Sequence, residues 1–327
     1  MERAYEHLKQ LYSFEPQFIA ADLHPGYMSR KWAEDLAQQK GLPLVSVQHH
    51  HAHVAGLMAE HRVDEPVIGV CFDGTGYGTD GTIWGGEWLL TSPTGFERCA
   101  HLETMPLPGG DACVKSPARI ALAYLWSVGL EWDTDLLSVQ EFKVSERKLL
   151  LQQLEKNINC VLTSSMGRLF DAVASLCDIR HRVSYEGQAA IELEALARRK
   201  KGELLHEPEP FSFGISGDDI AHVELSRMFV ELLAALSDGQ SQDEIALKFH
   251  VTIANMIADV CEIVRQRNNV NLVGLTGGVF QNILLTELAT SELVRRDFTV
   301  LVHHKLPPND GGLALGQLYV ARQQLRG

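Results

Sequence analysis

The fold class is indicated first by one stretch of the chain, Val67-Ile68-Gly69-Val70-Cys71-Phe72-Asp73-Gly74-Thr75-Gly76-Tyr77-Gly78. Its apolar first half predicts a buried strand, and the glycines after it predict a turn. A second apolar run over residues 81–91 completes the pattern of a β-hairpin. Asp73 therefore stands at the carboxyl edge of a strand, where ligands collect in open α/β sheets.

The rest of the chain alternates between helical and strand patterns, which indicates a mixed α/β protein. Helices are predicted over residues 1–12, 29–40, 116–125, 223–236, 241–267 and 313–324, and further strands over 18–23, 44–47, 208–213, 270–275 and 298–302. This order suggests three parts. They are a first α/β lobe over residues 1–110, a helical insertion over 111–205 and a second α/β lobe over 206–327.

Composition excludes several classes of protein. The 327 residues carry a formal net charge of −13, which disfavours broad nucleic-acid binding. No apolar run approaches the ~20 residues of a membrane span, and the polar N-terminus does not resemble a signal peptide. The six cysteines are scattered without a Cys-x-x-Cys pair, which argues against a structural zinc finger. We expect a cytoplasmic protein with reduced, mostly buried thiols and neither a membrane nor a nucleic-acid partner.

A histidine cluster, His49-His50-His51-Ala52-His53, lies where a strand-like run gives way to a helical one. His49 and His53 are four residues apart, so on a helix both imidazoles point the same way. Two neutral nitrogens converging on one point are what a divalent cation requires. A solvated, polar helix start would explain the same residues equally well.

Two carboxylates follow patterns that would place them beside these histidines. One is Asp73, and the other is Asp310 in Pro307-Pro308-Asn309-Asp310-Gly311-Gly312, after the strand predicted at 298–302. Either acid alone is equally typical of a turn or a helix N-cap. Together with the histidine pair they would form a site of two imidazoles and two carboxylates.

A glycine pair marks a third feature of chemical interest. In Asn271-Leu272-Val273-Gly274-Leu275-Thr276-Gly277-Gly278-Val279-Phe280-Gln281-Asn282, a buried strand runs into two glycines and then a helix. Glycines there allow a ligand to approach the backbone, and a helix N-terminus favours anions. An ordinary strand-to-helix turn remains the alternative, because the stretch matches neither the Walker loop nor the dinucleotide fingerprint.

Five motifs in this order resemble the HypF family of hydrogenase maturation carbamoyltransferases, from about residue 22 to the C-terminus. They lie at residues 47–53, 72–78, 105–111, 276–282 and 308–312. A more distant similarity is to the tRNA threonylcarbamoyl transferases and the antibiotic O-carbamoyltransferases. The resemblance implies a two-lobed fold of the actin, sugar-kinase and Hsp70 type, with ribonuclease-H-like lobes around a nucleotide cleft.

The same resemblance implies a reaction and its partners. The family activates carbamate with ATP as carbamoyl-adenylate and transfers the carbamoyl group to the C-terminal cysteine thiol of HypE. That group later becomes the cyanide ligand of the nickel-iron centre. Full HypF proteins also carry zinc-finger modules and a YrdC-like domain, whose motifs are not found here. We therefore expect a C-terminal piece with an incomplete first lobe, competent for at most the transfer half-reaction.

The resemblance also assigns residues. It implies that the metal-ligating and catalytic residues are His49, His53, Asp73 and Asp310, with zinc or iron(II) as the cation. It implies nucleotide-binding residues at Gly277, Gly278, Asn282, Asp171, Glu186 and Gly187, and two cations near a helix start, Lys115 and Arg119, are further candidates. Of these, Asp171 or Glu186 would bind ribose hydroxyls and the two basic residues would neutralise phosphate. Asp171 is equally explained by pairing with Arg168 three residues back, and the two basic residues by solvated surface charge.

Two other functions stay open from the sequence. One is a tRNA threonylcarbamoyl transferase, against which the acidic net charge argues mildly. The other is a non-catalytic ATP-binding scaffold of the actin type, against which the four candidate metal ligands argue.

Overall fold

A computed structural model describes residues 1–204 and 206–326 of the chain. The strands of this part are β1 (Ile19–Asp22), β2 (Leu44–Val47), β3 (Val67–Tyr77), β4 (Ile83–Thr91), β5 (Phe96–Leu102), β6 (Met105–Pro108), β7 (Cys160–Thr163), β8 (Gly214–Ser216), β9 (Ala221–Glu224), β10 (Leu272–Thr276) and β11 (Thr299–Leu301).

The helices of the same part are α1 (Glu2–Tyr12), α2 (Met28–Lys40), α3 (His49–His61), α4 (Pro117–Ser127), α5 (Leu137–Gln140), α6 (Val144–Glu155), α7 (Met166–Leu176), α8 (Gln188–Glu203), α9 (Ser226–Ser237), α10 (Gln242–Asn268), α11 (Ile283–Arg295) and α12 (Leu313–Gln324). Short 3₁₀ segments precede α4, α11 and α12. None of these helices is both long enough and apolar enough to cross a bilayer.

Within the described part of the chain, the main sheet has nine strands, seven of them in the order β11-β10-β3-β4-β5-β9-β8, with β7 paired to β4 and to β6. Strands β3, β4 and β5 form an antiparallel meander, and β10 and β11 continue the sheet in parallel with β3. Three antiparallel strands followed by two parallel ones are the arrangement of a ribonuclease-H-like lobe. The predicted α/β class and β-hairpin are confirmed.

A second, smaller lobe surrounds a separate two-stranded parallel sheet of β1 and β2. Helix α2 connects the two strands and packs against both of them, as parallel strands require. Helix α12 returns from the end of the chain to pack against α3, β1 and β2. The smaller lobe is therefore completed by the last helix of the chain, and the predicted two-lobed architecture is confirmed.

The predicted boundaries at residues 110 and 206 do not separate the strands of the two lobes. Strands β3 to β5, which were assigned to the first lobe, share one hydrogen-bonded sheet with β10 and β11. The prediction followed chain order, but β3 and β10 pair across almost 200 intervening residues that local patterns do not report.

The strand predicted over residues 208–213 is also wrong, because the nearest strand begins at Gly214. Pro208 and Pro210 have no backbone N–H and cannot donate to a sheet ladder. The N–H of Phe211 instead donates to the Thr252 hydroxyl, at 2.8 Å.

Helix α3 is buried over its first ten residues, between the main sheet and the smaller lobe. On one side Leu57 and Met58 belong to an apolar cluster with Val67 of β3. On the other side Ala52 packs in a cluster with Val320 of α12. The histidines at the start of the helix are thus carried into the interior by apolar residues on both faces.

Helices α3 and α12 cross very closely, and glycines allow the approach. A Cβ atom on Gly316 of α12 would overlap the backbone carbonyl oxygen of Ala52 in α3. Gly56 of α3 lies at the same crossing, beside the backbone of Gly312 and Gly316. The separation of the two helices is therefore set by the absence of side chains at this point.

We expect Gly316→Ala to destabilise the protein, because its Cβ would meet the Ala52 carbonyl rather than a movable side chain. Overpacking of this kind lowers the free energy of unfolding by about 1–3 kcal/mol. Thermal and urea denaturation of the purified variant measure the effect.

Gly202→Ala provides the matched control, since Gly202 also lies in a helix and a Cβ there meets nothing within 4 Å. Helix propensity predicts that this change raises stability by about 0.5–1 kcal/mol. Equal effects of the two substitutions would contradict the close-crossing interpretation.

Candidate metal and nucleotide site

Four side chains from distant parts of the sequence meet at the N-terminus of α3. His49 and His53 lie one turn apart on the helix, Asp73 extends from β3, and Asp310 lies in the 3₁₀ segment before α12. One ligand atom from each residue lies within 4.8 Å of the other three. The structure thus brings together the four residues for which the sequence predicted a metal site.

The spacing of these atoms fits a divalent cation. The distances from Asp73 Oδ2 are 3.4 Å to His49 Nε2 and 3.3 Å to His53 Nε2. The corresponding distances from Asp310 Oδ1 are 3.5 and 3.4 Å. Neighbouring ligands bound to one cation at roughly 2.1 Å are separated by roughly 3 to 3.4 Å, so these four distances suit a shared cation.

Burial supports the same conclusion. His49 Nε2, His53 Nε2 and Asp73 Oδ2 are buried and have no hydrogen-bond partner among the described residues. Buried polar atoms are nearly always satisfied, because leaving one unpaired is costly. A cation would satisfy all three atoms at once, while the exposed carboxylate of Asp310 leaves one side of the cluster accessible.

The sequence analysis missed a fifth residue, Asp22, at the end of β1. Its Oδ2 accepts a hydrogen bond of 2.9 Å from Nδ1 of His49, and the carboxylate is almost fully buried. An ionised carboxylate can only accept, so Nδ1 carries the proton, and in the neutral imidazole that binds a cation the lone pair of Nε2 faces the cluster. The available signal was an acid directly after a strand, the same signal that identified Asp73.

Charge within the cluster also suits a cation. Burial alone would lower the pKa of His49, but the carboxylates of Asp22, Asp310 and Asp73 together raise it well above its usual value. Burial would likewise raise the pKa of Asp73, but the two histidines hold it well below its usual range. The acids therefore stay ionised, and a bound cation would displace imidazole protons.

A chain of hydrogen bonds fixes the other end of α3. His303 accepts from the Thr276 hydroxyl at Nε2 over 2.9 Å and donates from Nδ1 to Glu60 Oε2 over 2.8 Å. The same Glu60 carboxylate accepts from the backbone N–H groups of His304 and Lys305. A hydroxyl, an imidazole and a carboxylate are aligned here, as in a catalytic triad, but Thr276 is fully buried and cannot reach a substrate. These hydrogen bonds therefore serve to connect α3, β10 and the segment after β11.

A cavity of about 530 Å³ adjoins the four-residue cluster, which is a typical volume for a small-molecule site. Asp73 and Asp310 form one end of it, and helices α7 and α8 form the wall that carries Gly167, Arg168, Asp171 and Glu194. The turn after β10 closes a further side.

Most of the predicted nucleotide-binding residues line this cavity, namely Asp171, Glu186, Gly187, Gly278 and Asn282. At Gly278 a Cβ would lie 2.8 Å from Asp73 Oδ1, so this turn touches both the cavity and the four-residue cluster, called the metal cluster below. Gly277 does not line the cavity. Its φ of 98° and its contact with the Phe72 carbonyl show that it shapes the turn.

Lys115 and Arg119 lie outside the cavity, contrary to the prediction that they neutralise phosphate there. Lys115 is exposed at the end of a 3₁₀ segment, and the Arg119 guanidinium lies beside Gly109. Their position in sequence, close to a helix start, did not reveal which way that helix faces.

The side chain of Asn282 is already occupied by structural contacts. Its oxygen caps α11 by accepting from the backbone N–H of Leu285, and its Nδ2 donates to His250 Nε2. Asn282 therefore positions the turn, and any direct nucleotide contact of this residue falls to its backbone.

The Asp171–Arg168 pair that the sequence left open is present, with 3.1 Å between Asp171 Oδ2 and Arg168 Nη1. Burial raises the pKa of Asp171 to about 6 even though Arg168 opposes the shift. Arg168 itself was missed as a cavity residue, because its three-residue spacing from Asp171 suggested an ordinary helix-face pair.

Comparison with known families gives two matches that together span most of the chain. A model described as the carbamoyltransferase Kae1-like domain, second subdomain, matches residues 69–317, and the HypF Kae1-like domain model matches residues 1–60. The gap between the two matched ranges, residues 61–68, covers the end of α3, the connecting turn and the start of β3.

Named relatives are similar over almost the whole chain. Carbamoyltransferase HypF of Synechocystis sp. is 40% identical over 99% of this chain and 42% of its own length. A carbamoyltransferase HypF homolog of Cupriavidus necator is 36% identical over 99% of this chain and 82% of its own. The chain thus spans about two fifths of the length of the first of these relatives.

Solved structures show the same relationship. Full-length HypF in its phosphate- and nucleotide-bound form superposes with a TM-score of 0.91 at 38% identity, covering 99% of this chain and 49% of that one. HypF of T. kodakarensis gives a TM-score of 0.83 at 32% identity, covering 95% of this chain and 40% of that one. The chain belongs to the HypF carbamoyltransferase family and comprises its Kae1-like domain.

Proposed function

We propose that this chain carries the carbamoyl-transfer site of a HypF-type enzyme. It would transfer a carbamoyl group from carbamoyl-adenylate to the C-terminal cysteine thiol of HypE, for the cyanide ligand of [NiFe]-hydrogenase. The observation that carries the proposal is the continuity of the two-histidine, two-aspartate cluster with a cavity of nucleotide size. Membership of the family and the nucleotide-bound form of a related HypF support it.

Different residues of the site would hold the cation and the nucleotide. His49, His53, Asp73 and Asp310 would hold zinc or iron(II), which supplies Lewis-acid polarisation of a carbamoyl or phosphoryl oxygen. Asp22 orients one imidazole. Asp171 and Glu186, which also line the cavity, have the acceptor oxygens that ribose hydroxyls require.

The acceptor thiol must reach the part of the cavity that Asp73 and Asp310 line. There the thiol sulfur would form a bond to the carbamoyl carbon while the bond from that carbon to the phosphate oxygen breaks and AMP leaves. The exposed carboxylate of Asp310 lies on the open side of the cluster, which suits entry of an extended protein tail. Gly74 and Thr75, at the start of the glycine-rich hairpin over residues 74–86, also line the cavity.

The alternatives are less well supported. A non-catalytic ATP-binding scaffold gives no reason for three buried ligand atoms without hydrogen-bond partners. The net charge of −13 does not favour a tRNA acceptor. For the intact enzyme we propose a cytoplasmic location, with YrdC-like and zinc-finger domains as partners of this one.

The first prediction concerns the cation. We expect wild type to bind one zinc or iron(II) ion per chain and the double variant His49→Ala, His53→Ala to bind none. Asp22→Asn should retain the site but lower its affinity roughly 10- to 100-fold, because the amide no longer enforces the correct His49 tautomer. Competition with a chelator and elemental analysis measure both effects.

The controls are His7→Ala and Asp35→Asn, which change exposed residues on α1 and α2. Both should bind the cation like wild type. Full metal content in the double histidine variant would disprove the assignment.

The second prediction concerns the nucleotide. Gly278→Val should weaken ATP and AMP binding, because its side chain would project beside Asp73 Oδ1 where the turn meets the cavity. Calorimetric titration measures the affinity. Gly95→Val, at a glycine with nothing within 4 Å of a Cβ, is the matched control. Unchanged affinity in the Gly278 variant would mean that the turn is purely structural.

The third prediction tests the reaction itself. Supplied with synthetic carbamoyl-adenylate, the enzyme should add one carbamoyl group to the terminal cysteine of a HypE tail peptide, which mass spectrometry detects. Asp73→Ala and Asp310→Ala should each lower the rate at least tenfold. Transfer at full rate in both variants, or transfer to tRNA instead of the peptide, would reject the proposed function.

A further inference from the structure

The cavity beside the metal cluster is strongly acidic and has a single basic side chain among its described lining residues. The acids are Asp73, Asp171, Glu186, Glu194 and Asp310, and the base is Arg168, in the first turn of α7. Carboxylates suit a cation and ribose hydroxyls, but they repel a phosphate group. An adenylate therefore needs a positive group on the protein besides any bound metal.

The Arg168 guanidinium is buried, and part of it has no hydrogen-bond partner. The side chain is 4% exposed, and its Nη1 lies 3.1 Å from Asp171 Oδ2. Among the described residues, no acceptor lies in hydrogen-bonding geometry to Arg168 Nη1 or Nε. Five N–H donors in a planar fork are thus held at the cavity wall without a full set of acceptors.

Its location fits the middle of a bound adenylate. A Cβ on Gly74 would lie 3.4 Å from Arg168 Nη2 and 3.7 Å from Glu186 Oε1. Gly74 directly follows the metal-ligand candidate Asp73. The guanidinium therefore lies close to Asp73 along β3 and beside Glu186 and Asp171, the acids proposed for ribose. In an acyl-adenylate, the group between the ribose and the reacting carbonyl is the phosphate.

The absence of a side chain at Gly74 leaves Arg168 Nη2 uncovered at this position. The pairing with Asp171 is made through Nη1, and Nη2 is the nitrogen of this guanidinium that faces Gly74. The raised pKa of Asp171 further indicates that the pair is poorly compensated in its buried setting.

We infer that Arg168 binds the phosphate of the adenylate and so distinguishes a nucleotide from a nucleoside. The inference rests on the proposed function, because it assumes that the cavity holds an adenine nucleotide. A guanidinium fork can make two parallel hydrogen bonds to one phosphate, which a lysine cannot.

The test compares AMP with adenosine, which differ only in the phosphate. Isothermal titration is performed on wild type and Arg168→Met at equal metal content. Wild type should prefer AMP, and Arg168→Met should lose roughly 10- to 100-fold in AMP affinity while adenosine affinity stays within about twofold. Arg168→Lys should recover only part of the preference, because it keeps the charge and loses the fork.

A second pair of variants removes the effect on Asp171. Asp171→Asn with Arg168 intact should keep the preference for AMP, and Arg168→Met combined with Asp171→Asn should abolish it. This pair remains informative even where Arg168→Met alone folds poorly, since it leaves no unpaired buried carboxylate.

The outcomes separate the inference from the proposed function. Loss of AMP and adenosine affinity in equal proportion, or an unchanged preference for AMP, would overturn the inference and leave the nucleotide site standing. Failure of wild type to bind either ligand would overturn the nucleotide site and the inference with it.

Discussion

The burial of helix α3 is the constraint on which the rest of the structure depends. Apolar residues hold one face of the helix against the main sheet, and small residues hold the other against α12. The N-terminal turn, with its imidazoles, has to follow the helix into the interior. Buried imidazole nitrogens need partners, and for His49 Nε2 and His53 Nε2 the nearest charged groups are the carboxylates of Asp73 and Asp310.

The elements around α3 are placed so as to supply these partners. Asp22 ends β1 and holds one nitrogen of His49, while Asp73 extends from β3 towards the other. Asp310 arrives with α12, whose distance from α3 is fixed by the glycine crossing at Gly316. The geometry of the metal cluster is thus a consequence of helix packing, and a change far from the ligands can alter it.

The charges that line the cavity also determine which ligand groups it can hold. Its acids favour a cation and hydroxyl groups, and its lone basic residue among those described is the group that a phosphate requires. Arg168 and Asp171 share one turn of α7, so a single helix presents opposite charges to the same cavity. A continuous site for a polar, partly anionic molecule follows from the way these helices face the sheet.

The sequence by itself determined the features that depend on neighbours along the chain. The four-residue spacing of His49 and His53, the acid after an apolar strand and the Asp-Gly-Gly turn were all readable, because helix and strand periodicities are local. The resemblance to HypF rested on the same short motifs. These features were sufficient to predict a metal site at these four residues and to expect an α/β fold.

Only the tertiary structure decided which distant segments meet. It placed β3 beside β10 in one sheet, Asp22 against His49, and Arg168 in the wall of the cavity, whereas Lys115 and Arg119 lie outside that cavity. No local pattern encodes these outcomes, because strand pairing and helix orientation are set by burial across long separations in sequence. The sequence supplied the chemical groups, and the packing of α3 and α7 decided where each of them faces.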